Sequence, residues 1–579
     1  MYTLRQWLAI ILLGLYTTST YAQLNISVDI QGISGVLADN ARLFLSIEQQ
    51  KNNTLLSEGR LQRLHNKATQ EITRALQPFG YYRPVIHGSL NKNSEENWIA
   101  AYHIDPGPAL PIVEVNFTLT GPIETDPEFQ DFKKNLPLHK GDTLNHRLYD
   151  SIKNDLAKLA VERGYFNAHF VEHRIDINLE RYQAHIHLHY DSGPRYRFGE
   201  IRLEQNILTS GLLHRYIPFE RGDPYSLNKL LDLQQSLNDS DYFQSVEVSP
   251  MQPDANSNEV PVNIALTPRK HHRFSLGLGY GTDTGARTKV GWEVPRVNRR
   301  GHRFNTEARL TEVGFSVRAH YRVPVLNPRT DQIIYSSGVI NEKTDTSDST
   351  VRTIGASLNR SRAAWRESVS ITYQQEKFVV GNDRGQSLLI MPGANWSRTW
   401  GRNFIYTLDG LRFDIGLRGA SQQLASDTSF AQLQGGIKAI TPLGSRNRII
   451  THGRLGGTWT QAFHQLPSSV RFFAGGSQSV RGYSYQSLGP VDGSGVIVGG
   501  KNLMVGSIEL EHSLSDKWGV AAFYDAGNAI DNIDDKLERG AGIGWRWRSP
   551  IGPVRFDLAS AISRDGRPWR LHINIGPDL

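Results

Sequence analysis

The 579-residue chain contains no cysteine and only four methionines. Without cysteine there is no disulfide scaffold, no thiolate metal site and no cysteine nucleophile, so stability must come from packing and hydrogen bonding. Long hydrophobic runs are nearly absent too. The one clear case, Trp7 to Tyr16, is shorter than the ~20 residues a membrane-spanning helix needs. With Arg5 ahead of it and Thr20-Tyr21-Ala22 behind it, this run reads as a secretory signal over residues 1–22. Excess charge is small: 64 basic and 57 acidic residues give +7, which becomes +6 when Arg5 leaves with the signal. Nucleic-acid binding needs a concentrated basic face, and none is evident. The chain has no Gly-x-Ser-x-Gly elbow, P-loop or His-Glu-x-x-His sequence, so no catalytic residues and no cofactor are expected.

A domain-sized pattern occurs three times: a helix ending in an aromatic pair that leads at once into an extended strand. The copies are Phe79-Gly80-Tyr81-Tyr82, Arg163-Gly164-Tyr165-Phe166 and Asp241-Tyr242-Phe243, with anchor tyrosines 84 and 77 residues apart. Lys140-Gly141-Asp142 and Arg221-Gly222-Asp223 open the helices before the second and third anchors. Gly107-Pro108 and Gly193-Pro194 precede alternating strands over 112–120 and 196–204. Each unit therefore reads strand, helix, helix, strand, strand. Such a unit forms two layers and leaves a strand edge available, either for an added partner strand or as part of a rigid spacer.

From about residue 270 the periodicity becomes strict alternation. Phe274, Leu276, Leu278 and Tyr280 alternate with Ser275, Gly277, Gly279 and Gly281, and near the end Ala541, Ile543, Trp545 and Trp547 alternate with Gly542, Gly544, Arg546 and Arg548. One face is apolar, the other glycine-rich or charged. The roughly 310 residues available hold about 16 antiparallel strands of ~10 residues, the pattern of a transmembrane β-barrel with a polar interior. A barrel is required because open strand edges cannot be satisfied in lipid. The expected organisation is signal 1–22, three α/β domains over 23–106, 107–191 and 192–268, and a barrel over 269–579.

Within the barrel half, Val480-Arg481-Gly482-Tyr483 sets a lone arginine between Gly475-Gly476 and Gly482, which suits a loop folded back into a confined space. A buried arginine needs a partner, and Asp525 in Phe523-Tyr524-Asp525-Ala526-Gly527 is a carboxylate in a small, apolar strand. Alternation turns Phe523 and Asp525 away from lipid, so Asp525 is expected to bind Arg481 in the lumen, with Phe523 offering a cation-π face. His185, His187 and His189 share one face of a strand, but no carboxylate set completes a metal site there, and none is assigned. A barrel closes by pairing its first and last strands. The seam is expected between Leu276, Gly277, Gly279 and Gly281 on one side and Leu571, Ile573 and Ile575 on the other, as its weakest ladder.

Val480-Arg481-Gly482-Tyr483 followed by Phe523 to Gly527, behind three tandem α/β units, resembles the outer-membrane assembly and secretion superfamily, and the units resemble its polypeptide-transport-associated (POTRA) domains. The resemblance implies an outer-membrane barrel with POTRA domains in the periplasm, acting on outer-membrane protein clients within the lipid bilayer. Three such domains are similar to the TamA branch, which implies a TamB-like partner anchored in the inner membrane and a role in autotransporter assembly. A two-partner-type secretion pore exporting a dedicated substrate is the alternative.

Overall fold

In a computed structural model, described here for residues 24–94, 97–401, 406–549 and 552–575, the chain forms three small three-stranded sheets and one sixteen-stranded antiparallel sheet. The expected signal over 1–22 lies outside the described residues. Contacts divide the chain into two compact units. One holds the first two repeats with Phe219–Leu230 and Pro250–Val262; the other holds Arg202–Pro218, Leu231–Ser249 and Asn263–Leu579.

In the first repeat, strands Asn25–Gln31, Asn97–Asp105 and Val85–Lys92 lie side by side in that order. Helix Glu58–Leu76 buries Leu61, Leu64, Ala68, Ile72 and Leu76, whose three- and four-residue spacing makes a single apolar stripe. In the second, Ile112–Thr120 pairs in parallel with Gln183–Asp191, which pairs antiparallel with His169–Asn178. Helix His146–Glu162 starts where Asn145 accepts hydrogen bonds from the backbone N–H groups of Arg147 and Leu148. The anchor Tyr165 is buried and donates its hydroxyl to Asp126 at 3.1 Å, and Arg163 and Arg195 neutralise that carboxylate at 2.8 and 3.4 Å. Burial raises the Tyr165 pKa, so the hydroxyl stays a donor.

The third sheet orders its strands Arg197–Glu204, Glu259–Pro268, Phe243–Pro250. Its anchor Tyr242 donates to the carbonyl oxygen of Gly301, 2.6 Å away in the turn after the second barrel strand, and lies beneath the Arg303 guanidinium. Arg329 adds a bidentate pair with Asp232 at 2.7 and 2.8 Å.

The sixteen barrel strands run from Arg273–Gly281 to Trp569–Ile575, each paired with its neighbour in sequence. Leu276 and Leu278 stand out from the wall, 73 % and 79 % exposed, as a lipid-facing row requires. Aromatic rings gather where the chain enters the barrel: Trp292 stacks on Phe274 and meets Phe304, Trp365 meets Trp400, and Trp518 stacks on Trp547. Rings with an apolar body and a polar tip settle at a membrane interface, so this girdle marks one edge of the bilayer. The first three strands have 9, 10 and 9 residues, whereas the eighth, Asp383–Gly401, has 19.

The seam differs from the expected ladder. Among the described residues no backbone ladder joins Arg273–Gly281 to Trp569–Ile575, so Leu276, Gly277 and Gly279 have no partner strand across the gap. A hydrogen bond and a close approach join the two strands at the end of the first. There the Ile573 N–H donates to Thr282 Oγ at 3.3 Å, and Gly281 lies beside the Ile573 carbonyl. Leu571 and Ile575 pair with Leu558 and Val554 of the preceding strand and, among the described residues, with no strand across the gap.

Candidate functional site

Residues 460–501 connect strand Asn447–Trp459 to strand Asn502–Ser513 and fold inward instead of standing above the barrel. A buried cluster of Phe472, Ala474, Val480, Tyr483 and Leu488 from this loop packs on Leu503, Val505, Ala529 and Ala561. Gly482 permits a close approach to the wall. At φ +97° it takes a conformation that other residues resist, and a Cβ there would lie 2.8 Å from the Ala561 nitrogen and 2.9 Å from the Ser560 carbonyl carbon.

That approach delivers Arg481 into the wall. Its Nε and Nη2 donate to the two Asp525 oxygens at 2.8 and 2.9 Å, its Nη1 to Glu509 at 2.7 Å and Asp557 at 3.2 Å, and its Nη2 also to Ser507 at 3.2 Å. Its backbone N–H adds a bond to Asp525 at 3.0 Å. The guanidinium lies 3.4 Å from the centre of the Phe523 ring. Arg546 faces the same carboxylates from the other side, at 2.6 Å from both Glu509 and Asp557. Three carboxylates thus hold two guanidinium groups, all nearly removed from solvent. Burial alone would lower the Arg481 pKa, but the bond to Asp525 and the charges of Asp525, Glu509 and Asp557 raise it, so the cation is permanent. Every donor of the planar fork has an acceptor, which is the condition for burying such a group.

Tyr483 completes the motif. Its hydroxyl donates to Glu538 at 2.8 Å and meets Ser563 at 2.9 Å, and burial pushes its pKa up to about 12. Val480 is fully buried, and Gly527 lies in the strand that carries Asp525. The structure therefore brings together Val480, Arg481, Gly482, Tyr483, Phe523 and Asp525.

Five attachments were not read from the sequence. Glu509, Asp557 and Arg546 share the Arg481 network. His572 of the last strand accepts the Gly482 N–H at 3.0 Å, and Asp283, just past the first strand, accepts from the Ser477 N–H at 2.9 Å and hydroxyl at 2.6 Å. On the far side, Glu376 accepts from the Ser468 hydroxyl at 2.7 Å and the Ser469 N–H at 3.2 Å, and Arg471 pairs with Asp383 at 2.9 Å. The loop thus spans the lumen from the seventh and eighth strands to both lips of the seam. The alternating polar faces carried the signal for these residues, but so many lumen positions are charged that nothing marked these ones.

His185, His187 and His189 occupy the central strand of the second sheet and take separate partners: Glu114 at 3.4 Å, Asp176 at 3.5 Å and the Thr120 hydroxyl at 3.1 Å. Among the described residues no group converges as metal ligands would.

Comparison with known proteins bears on the fold. The Omp85 superfamily domain model matches residues 255–578, a model described as POTRA domain TamA domain 1 matches 27–106, and the POTRA model described as surface antigen variable number repeat matches 196–269. The outer membrane protein assembly factor BamA of Nitratidesulfovibrio vulgaris is 22 % identical over 530 residues, covering 85 % of this chain; the chain spans 64 % of that relative's length. The structure of Haemophilus ducreyi BamA lacking POTRA domains 1–3 superposes with a TM-score of 0.67 at 18 % identity, over 81 % of this chain and 99 % of that one. CdiB from Acinetobacter baumannii gives 0.45 at 15 % identity over 88 % and 97 %. Fold and site define an outer-membrane β-barrel filled by its own loop, with POTRA domains on the periplasmic side. The chain belongs to the Omp85 superfamily.

Proposed function

We propose that the protein is a TamA-type subunit that assists insertion of outer-membrane proteins, autotransporters among them, together with a TamB-like protein anchored in the inner membrane. The observation that carries this reading is the match of residues 27–106 to the first POTRA domain of TamA, in a chain with three such units before its barrel. Clients enter by pairing with the unladdered first strand, whose free N–H and C=O groups a new strand satisfies as lipid cannot. The work comes from client folding, and no catalytic step or cofactor is involved. The first POTRA domain docks the partner. Deleting residues 23–106 abolishes copurification of the TamB-like protein while the barrel still inserts; retained copurification refutes the assignment. A dedicated secretion pore instead exports a single substrate after the same deletion.

A further inference from the structure

The wall opposite the seam carries arginine on its lipid-facing side. Four neighbouring strands build this stretch: Ser347–Arg362, Trp365–Val380, Asp383–Gly401 and Gly410–Ala420. Side by side across them lie Arg362, Trp365, Arg398 and Phe413, and one step further into the wall lie Arg360, Glu367 and Trp396. Alternation puts these residues on the face of Val369 and Ile371, which stand 60 % and 54 % exposed. The Arg398 guanidinium lies against two indole rings, 4.1 Å from the centre of Trp400 and 5.5 Å from that of Trp365. Trp365 also meets Phe413 edge-on at 6.2 Å. These rings belong to the girdle at the bilayer edge, where the chain enters the barrel.

An arginine that only snorkels to the edge of a membrane keeps its nitrogens in water. Here Nε of Arg360 and Nε of Arg398 are buried without a hydrogen-bond partner. Two carboxylates stand in the same rows and leave them unpaired. Glu367 forms no ion pair among the described residues, and Asp331, level with Arg360, accepts from the Thr330 hydroxyl at 3.0 Å. A buried guanidinium nitrogen needs an acceptor. At a bilayer edge the acceptor at hand is a lipid phosphate, whose oxygens suit the planar fork. We propose that Arg360, Arg362 and Arg398 hold the phosphate of an anionic phospholipid in the periplasmic leaflet, with Trp365 and Trp400 fixing the Arg398 fork. A zwitterionic headgroup brings its own cation among three guanidinium groups, so the site selects a lipid of net negative charge.

The test uses the full-length protein in phosphatidylcholine nanodiscs with a rising fraction of brominated phosphatidylglycerol, or of brominated phosphatidylcholine as the reference. Because the chain has no cysteine, a bimane on Leu358→Cys is the only label. Leu358 pairs with Val369 and lies two residues from Arg360, at the depth of the bound lipid's acyl chains. Brominated phosphatidylglycerol quenches it with an apparent affinity about fivefold above that of brominated phosphatidylcholine. In the Arg360→Gln, Arg398→Gln variant the two lipids quench alike, while the folded barrel keeps its fast electrophoretic migration. A bimane on Ile508→Cys, a lipid-facing position of strand Asn502–Ser513, sees the two lipids alike with the arginines in place. Equal quenching by both lipids at Leu358 with the arginines in place, a preference that survives in the variant, or the same preference at Ile508 overturns the proposal.

Discussion

The Gly482 N–H donates to His572 Nε2 across 3.0 Å, which ties the inward loop to the last strand of the barrel. Five residues earlier the same loop is tied through Ser477 to Asp283, next to the first strand. The remaining nitrogen of His572 and the remaining oxygen of Asp283 lie 3.9 Å apart, both buried and neither hydrogen-bonded. The two lips are thus held together through the loop more than through each other.

Replacing His572 by alanine leaves the Gly482 N–H buried without an acceptor, at a cost of about 1–3 kcal/mol. His572→Ala and Asp283→Ala should each widen the distance distribution between spin labels placed on the first and last strands. Labels on Arg303–Thr311 and Gly314–Pro324, away from the seam, should not respond.

Arg481 and Asp525 form one coupled unit. Arg481→Ala strands Asp525 and leaves Arg546 alone to balance Glu509 and Asp557. Removing one partner of a buried pair costs ~3–5 kcal/mol, and the double variant should lose less than the sum of the two singles. The measure is the temperature at which the folded barrel's fast electrophoretic migration is lost; strictly additive shifts would contradict the coupling.

A disulfide between Thr282→Cys and Ile573→Cys joins the two lips where they touch. These would be the only thiols in the chain. Once fully formed, the bond should stop assembly of seam-dependent clients, and reductant should restore it. Normal assembly by the locked protein would rule out passage through the seam.

The junction between the first two repeats should respond to mild acid. His146 bonds the Tyr82 hydroxyl at 2.8 Å, and burial lowers the imidazole pKa below its usual 6.5. The undocked state then binds a proton that the docked state resists, so stability is full above pH 6.5 and falls as pH drops below it. Proteolytic cutting between the repeats should accelerate below pH 6.5, and His146→Gln should flatten the profile.

The tyrosine-anchored repeats and the alternating strands were legible because each is written in local sequence: Tyr165 and Tyr242 mark a helix end whatever surrounds them. Arg481 and Asp525 were legible because each is a charge in small, apolar surroundings. Glu509, Asp557 and Arg546 were not, since Arg318, Glu376 and Lys438 sit in strands of the same pattern and only closure of the sheet decides which carboxylates face the loop. The seam was placed between the first and last strands, Gly281 and Ile573 among its residues, but the ladder expected there is missing among the described residues: pairing of the two strands is a long-range register that Leu276 and Ile573 do not encode locally, and the contact seen is at Gly281 and Thr282.

The uneven strand lengths give the barrel a collar of unequal height. At ~3.4 Å per residue and a tilt near 40°, nine residues rise about 23 Å along the membrane normal and nineteen about 50 Å. The low side carries the first strand. A bilayer core near 30 Å must sag to meet a rim of that height, at a fraction of a kcal/mol per Å. A rim of that height thins the lipid beside the seam relative to the long strands, so a strand inserted there would cross less hydrocarbon than one placed beside the eighth strand.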